Sequence, residues 1–447
     1  MTGPTSASRL LARPAAAPRS APARDGLFRN AYALIINTGL SGALGVVFWT
    51  LAARLYPPEV VGRNTALISA MMTLSTVAQL DLAAALMRFL PSMRRLSAKA
   101  VASSYAVTVV VSVALGAGFV ALGPRVSSNL TFVSGTGLFI AFVAGLVGWG
   151  IFAIQDGVLT GLQRTTVVPV ENAGYNLAKA GTLVLFVGLF PTWGIFAAWS
   201  VPLVGAIVAV NVLIFRRYLP AHVLRPPAPI VLSRRTVIRY LGFDYLGGLC
   251  GAIQTMAMPL VVTVTLGANA SAHFYVAWML VTVLDTVSLS LGKSLLVEGS
   301  YQPDELPFLF RRVVRGMLMM LIPAVVATIA LSPLAVYLFG SRYHDAATLL
   351  RLLIIGLLPR ALFSVAAAAA RVRGEVGRIF CYVLLGTVVI VGLSVAGAVY
   401  FGTTEALCVG WTLGNLVIGL LALPWLRNLL GPVGPRPGRT AAERARI

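Results

Sequence analysis

The sequence predicts an all-α, polytopic membrane protein with twelve transmembrane helices in two six-helix lobes, and three observations predict it. Of the 447 residues, 58% are hydrophobic and only 11% charged, against about 25% charge in a soluble globule. From Arg29 onward the chain divides into apolar runs of about the 20 residues that a helix needs to cross the hydrocarbon core. The 35 Lys and Arg residues, which outnumber 14 Asp and Glu, fall mainly in alternate gaps between those runs, as a fixed threading requires.

The runs lie at 31–55, 64–87, 100–122, 135–160, 167–190 and 194–215, then at 240–265, 272–296, 314–339, 346–370, 379–401 and 405–426. With the N-terminus inside, 28 of the basic residues sit on the cytoplasmic side. Four (Arg54, Arg63, Arg125 and Arg342) sit outside, and Lys179, Arg351 and Arg360 lie within spans. The longest interruption, 216–239, contains Pro220, Pro226, Pro227 and Pro229. It divides the chain into a basic tail 1–28, an N-lobe 29–217, a cytoplasmic linker 218–238, a C-lobe 239–428 and a second basic tail 429–447. Both lobes then start from the cytoplasm, the arrangement of a parallel duplication. A single cysteine at Ser233, in a background lacking Cys250, Cys381 and Cys408, is expected to resist an impermeant thiol reagent in intact cells. Labelling without lysis would overturn the two-lobe threading.

Several chemistries are absent from the sequence. The only Gly-Lys-Ser, at Gly292-Lys293-Ser294, has Val287 where a phosphate-cradling loop needs its first glycine. There is no Asp-x-Asp, HExxH or nucleophile elbow, and three histidines and three cysteines are scattered without metal-ligand spacing. The expectation is a carrier that is not an enzyme, with no cofactor or metal and no nucleic-acid partner, since the basic residues serve topology.

A charge at bilayer depth costs about 2.5–3.5 kcal/mol on insertion scales, so buried charges need a partner, a wet cavity or a ligand. In the fifth run Asn172, Asn176 and Lys179 are spaced by four and three and share one helical face, with Tyr175 beside them. In the tenth run Pro359 precedes Arg360 near mid-depth and frees a backbone carbonyl. The eighth run carries Trp278, Thr282, Asp285 and Ser288 in one stripe, and the seventh carries Asp244, Gly248, Gly251 and Thr255. Asp81 lies within the second run, and Gln155 and Asp156 stand at the inner end of the fourth. Lys179 and Arg360, on different lobes, suit an anionic cargo. Asp81, Asp285 and Asp244 are coupling carboxylates or structural counter-ions, and Asp81 and Asp285 pairing with Lys179 or Arg360 is the alternative to cargo binding.

Two segments carry a resemblance. The stretch from Arg29-Asn30-Ala31 through Leu51-Ala52-Ala53-Arg54-Leu55-Tyr56-Pro57-Pro58-Glu59-Val60-Val61-Gly62, followed by Leu80-Asp81-Leu82 to Phe89-Leu90-Pro91, resembles the opening of the Wzx-type polysaccharide flippases. These belong to the MOP (multidrug/oligosaccharidyl-lipid/polysaccharide) exporter superfamily. Gly157-Val158-Leu159-Thr160-Gly161-Leu162-Gln163-Arg164 is similar to their Leu-x-Gly-x-x-Arg turn, and Asp81 stands where glycine is common. The resemblance implies a MATE/MOP-like fold of two bundles around a central cavity, working by alternating access in the bacterial cytoplasmic membrane. The implied cargo is an undecaprenyl-pyrophosphate-linked oligosaccharide, with membrane lipids, glycosyltransferases and a polysaccharide polymerase as partners. Lys179 and Arg360 would neutralise the diphosphate, and Asn172, Asn176, Tyr175 and Trp278 would hold sugars. The alternatives are a cation-coupled multidrug exporter of the same superfamily and a lipid II flippase.

Overall fold

The computed structural model describes residues 40–224, 234–301 and 303–429, and its regular elements there are helical, with no strand. The predicted tail 1–28, residues 225–233 of the linker and residues 430–447 lie outside them. The N-lobe helices are α1 (Leu40–Leu55), α2 (Pro58–Ala78), α3 (Leu82–Met93), α4 (Ser97–Val126), α5 (Thr136–Gly161), α6 (Val167–Leu189), α7 (Gly194–Leu213) and α8 (Leu219–Val223). The C-lobe follows with α9 (Arg234–Met256), α10 (Met258–Leu266), α11 (Ala268–Tyr301), α12 (Leu306–Tyr337), α13 (Ala346–Arg373), α14 (Val376–Phe401) and α15 (Thr404–Leu429). Each of the twelve predicted spans coincides with a helix or with a bent pair of helices. Among the described residues, eight helices and two bent pairs are long and apolar enough to cross a membrane. The remaining two spans are α1, described from Leu40, and α6, whose apolar run is diluted by Glu171 and Lys179.

The sequence patterning treats every span as one rod, and two of them are not. α2 and α3 meet at a 42° bend and α9 and α10 at a 50° bend. In the second case Pro259 follows the first residue of α10; it has no N–H to continue the ladder and crowds the turn before it, so the helix breaks at Ala257. In the first case Leu80 and Asp81 both take left-handed backbone, with φ of 47° and 57°, which costs an L-residue about 1–2 kcal/mol. Glycine meets that demand without the penalty, so Asp81→Gly is expected to fold at least as well as the parent and to keep transport. Normal folding with lost transport would instead give the Asp81 carboxylate a coupling role. α7 also runs on through a π-helical turn, Ile214–Tyr218, into α8, so helix reaches Val223 before the linker residues.

Within the N-lobe α5 packs on α3, α4 and α7, and α6 on α7; in the C-lobe α13 packs on α11, α12 and α15, and α14 on α15. The lobes join through α2, which lies against α11, α10 and α9. Contacts run from the end predicted to face outward to mid-depth. At the outer end Arg54 Nε donates to the Leu338 carbonyl (2.8 Å), and Ser127 Oγ donates to the Val264 carbonyl (2.8 Å). Gly62 on α2 abuts the Ala268 carbonyl so closely that a Cβ there would overlap it. Deeper, the rings of Trp49 and Tyr275 meet at 4.3 Å and the Tyr245 hydroxyl donates to the Val77 carbonyl (2.9 Å). The described state is therefore closed at the end predicted to face outward.

Candidate functional site

Two interior cations organise the protein, the half-buried Arg360 and the buried Lys179, each in its own lobe. Arg360 projects from the middle of α13 next to Pro359. Its Nε donates to Asp285 Oδ2 on α11 at 2.8 Å. Its terminal nitrogens donate to neutral groups on α9: Nη1 to Gln254 Oε1 at 3.3 Å and Nη2 to Thr255 Oγ1 at 3.0 Å. Gln254 Nε2 in turn donates to Thr387 Oγ1 on α14 at 2.8 Å, so four helices converge on one guanidinium. The pair with Asp285 is single-stranded: Asp285 Oδ1 is buried without a partner. A small pocket lined by Arg360, Gln254, Tyr382 and Asn415 opens beside the guanidinium.

Trp278 belongs to the same neighbourhood but to its packing. It is 4% exposed, stacks on Phe274 at 5.4 Å, meets Trp411 edge-on at 5.3 Å, and spends its indole N–H on the Thr255 carbonyl. The Asp244 side chain lies outside the described residues.

In the N-lobe Lys179 is 3% exposed on α6. Its ammonium lies 3.7 Å from the Trp199 ring centroid, 4.7 Å from Phe48 and 5.3 Å from Tyr175. Among the described residues no carboxylate stands within ion-pair distance of it. Three aromatic faces thus replace the water the ammonium lost, each cation–π contact stabilising a desolvated cation by up to about 2 kcal/mol. Asn172, Asn176 and Lys179 share a face of α6 as their spacing predicts, but the polar atoms are already engaged. Asn176 Nδ2 donates to the Asn172 carbonyl (2.7 Å), the Asn172 side chain lies beside Asp156, and the Tyr175 hydroxyl donates to the Trp199 carbonyl (2.8 Å). Asp81 sits at the α2–α3 break, within electrostatic reach of Tyr245.

The structure therefore joins Arg360 to Asp285 and holds Lys179 apart from both, since α6 and α13 do not pack on one another. Gln254, Phe48 and Trp199 are partners that the sequence does not single out. Gln254 adjoins the Thr255 of the small-residue stripe, which is the nearest signal. An aromatic residue inside an apolar run gives no sign of which cation it will face.

No family model matches the sequence, and no curated protein does. Among solved structures, the chain is similar to a lipid II flippase, MurJ, in an inward closed conformation, with a TM-score of 0.70 at 11% identity over 88% of this chain and 87% of that one. It is similar to a multidrug resistance MATE family transporter of the MOP superfamily in an outward-facing conformation, with a TM-score of 0.61 at 16% identity over 91% of this chain and 95% of that one. A MOP superfamily transporter from Pyrococcus furiosus, described by the reverse polarity of its binding pocket, matches with a TM-score of 0.61 at 16% identity, covering 91% of this chain and 96% of its own. The chain shares its fold with these transporters.

Proposed function

We propose that the chain is a transporter that moves an undecaprenyl-pyrophosphate-linked oligosaccharide across the bacterial cytoplasmic membrane by alternating access of its two lobes, for polysaccharide biosynthesis. The observation that supports this most is the state of the Arg360 guanidinium. Only Nε is used on a carboxylate, while Nη1 and Nη2 hold neutral partners at 3.3 and 3.0 Å beside a small pocket that Gln254 and Asn415 also line. A phosphate offers that edge two charge-assisted hydrogen bonds, roughly twice as strong as neutral ones, and so competes with Gln254 and Thr255. Lys179 supplies a second cation, which leaves its aromatic cage to meet the cargo, with Asn172 and Asn176 on the same face. Tyr175 and Trp278, whose polar atoms are committed to backbone carbonyls, shape the walls. The MurJ likeness supports a lipid-linked cargo on this fold.

The test is export in a strain whose capsule or exopolysaccharide depends on this protein. Lys179→Ala is expected to cut export about tenfold, equivalent to one lost contact of about 1.4 kcal/mol, while the protein still reaches the membrane. Unchanged export would remove Lys179 from the cargo path.

One observation favours a second reading, a cation-coupled multidrug exporter. Three aromatic rings around a buried ammonium are the surroundings that recognise an organic cation, and Lys179 then occupies the place of the cargo. In that case expression confers resistance to cationic dyes, and Lys179→Gln increases dye binding; the flippase reading expects neither.

A further inference from the structure

A second polar cluster lies in the N-lobe, away from both cations, near the end where α5 passes into α6. Asp156 on α5 and Glu171 on α6 are within electrostatic reach of one another. Glu171 is 7% exposed, and both of its carboxylate oxygens are buried without a hydrogen-bond partner. The Asn172 side chain lies beside Asp156, whose Oδ1 is buried without a partner. Three carboxylate oxygens on two helices are thus left with no donor.

The neighbouring groups do not supply the missing charge. Tyr105 on α4, also within reach of Glu171, spends its hydroxyl proton on Asn211 Oδ1 of α7 at 2.9 Å. Arg164, on the turn between α5 and α6, lies over the Tyr218 ring at 5.2 Å, and Arg88 of α3 lies over Phe89 at 5.5 Å. His222 of α8 bonds the Leu90 carbonyl at 3.1 Å. Among the described residues no Lys, Arg or His forms an ion pair with either acid, and no third His, Cys, Asp or Glu joins them to make a divalent-metal site. The surroundings are apolar: Val101, Ile154, Val158, Val168, Val210 and Ile214 pack together there.

Two ionised carboxylates in such a place would carry two negative charges with three buried oxygens lacking a donor. Removing an ion from water without a partner costs several kcal/mol, and where two acids repel one another, protonating one of them relieves that cost. We propose that Asp156 and Glu171 form a proton-binding site of the N-lobe, with Glu171 as the group that takes the proton. Binding is one proton transfer from a solvent hydronium ion to a Glu171 oxygen: an O–H bond of hydronium breaks, leaving water, an O–H bond to the carboxylate forms, and one negative charge is removed; release reverses it. The site stands whatever the protein carries. Only its use to drive transport rests on the reading above.

The experiment is infrared difference spectroscopy of the full-length protein in lipid nanodiscs, titrated with pH in potassium buffer without cargo. Wild type is expected to show a protonated-carboxyl band that titrates. Glu171→Gln is expected to lose it, and Glu171→Asp to keep a shifted one. Asp156→Asn removes a like charge beside Glu171, so the midpoint should move to lower pH. Should Glu171→Gln fail to fold, that shift decides the matter. Absence of a titrating band in wild type, or an unchanged band in both Glu171→Gln and Asp156→Asn, overturns the proposal. So does displacement of the proton by sodium at fixed pH, which would make this a sodium site. Because no cargo is present, failure here leaves the flippase reading intact, and failed export leaves this site intact.

Discussion

Gly62→Val is expected to abolish transport while the protein continues to reach the membrane. Gly62 sits where α2 crosses the start of α11, against the Ala268 carbonyl, and any Cβ would overlap that oxygen. Because the obstacle is backbone at the junction of the two lobes, no side chain can swing away to make room. Valine adds two further carbons that must be accommodated, and overpacking of a tight contact costs about 1–3 kcal/mol or more. The end predicted to face outward can escape the strain by separating, since the side-chain bonds there, from Arg54 to the Leu338 carbonyl and from Ser127 and Asn129 to the Val264 carbonyl, are few. A loss of about 1.4 kcal/mol from the closed state alone shifts the open-to-closed ratio tenfold. A cysteine at Ser127, in a background without the native cysteines, is therefore expected to react with an impermeant maleimide about tenfold faster in the Gly62→Val protein. Equal labelling rates would show that this crossing is not what holds the outer end shut.

Arg360→Ala is expected to destabilise the protein by about 3 kcal/mol, the scale for removing one partner of a buried ion pair. Asp285 Oδ2 loses its donor, Oδ1 has none already, and Gln254 and Thr255 lose the group that gathers α9 to α13. Pairing Arg360→Gln with Asp285→Asn removes both charges at similar volume, and this double variant is expected to recover thermal stability close to that of the parent. Export is the discriminating readout. If Arg360 engages the cargo diphosphate, the double variant stays inactive although folded, and Arg360→Lys keeps part of the activity because Lys offers a point charge in place of the planar fork. Recovery of both stability and export in the double variant would reduce Arg360 to a structural partner of Asp285.

Much of the architecture is a consequence of local composition. A run of some 20 apolar residues must become a helix in lipid, because its backbone groups have no other partners there, so the positions of all twelve spans follow from the sequence. So does the shared face of Asn172, Asn176 and Lys179, since helical periodicity alone brings residues four and three apart together. The bends are less legible. Pro259 announces one of them, whereas Leu80 carries no mark of the left-handed backbone it adopts, because that conformation is imposed from outside the segment.

The sequence by itself also determined that charges are buried and which residues carry them, since a charge inside an apolar run has nowhere else to go. Only the tertiary structure decided what each one meets. Arg360 faces a carboxylate 75 residues away in the chain, and Lys179 faces the rings of Phe48 and Trp199. Glu171 faces no donor at all among the described residues. The reason is physical: a helix fixes neighbours within one turn through its own hydrogen bonds, but contacts between helices depend on how whole faces pack. Many different packings satisfy the same apolar pattern, and the partner of a buried charge is set by the one that forms.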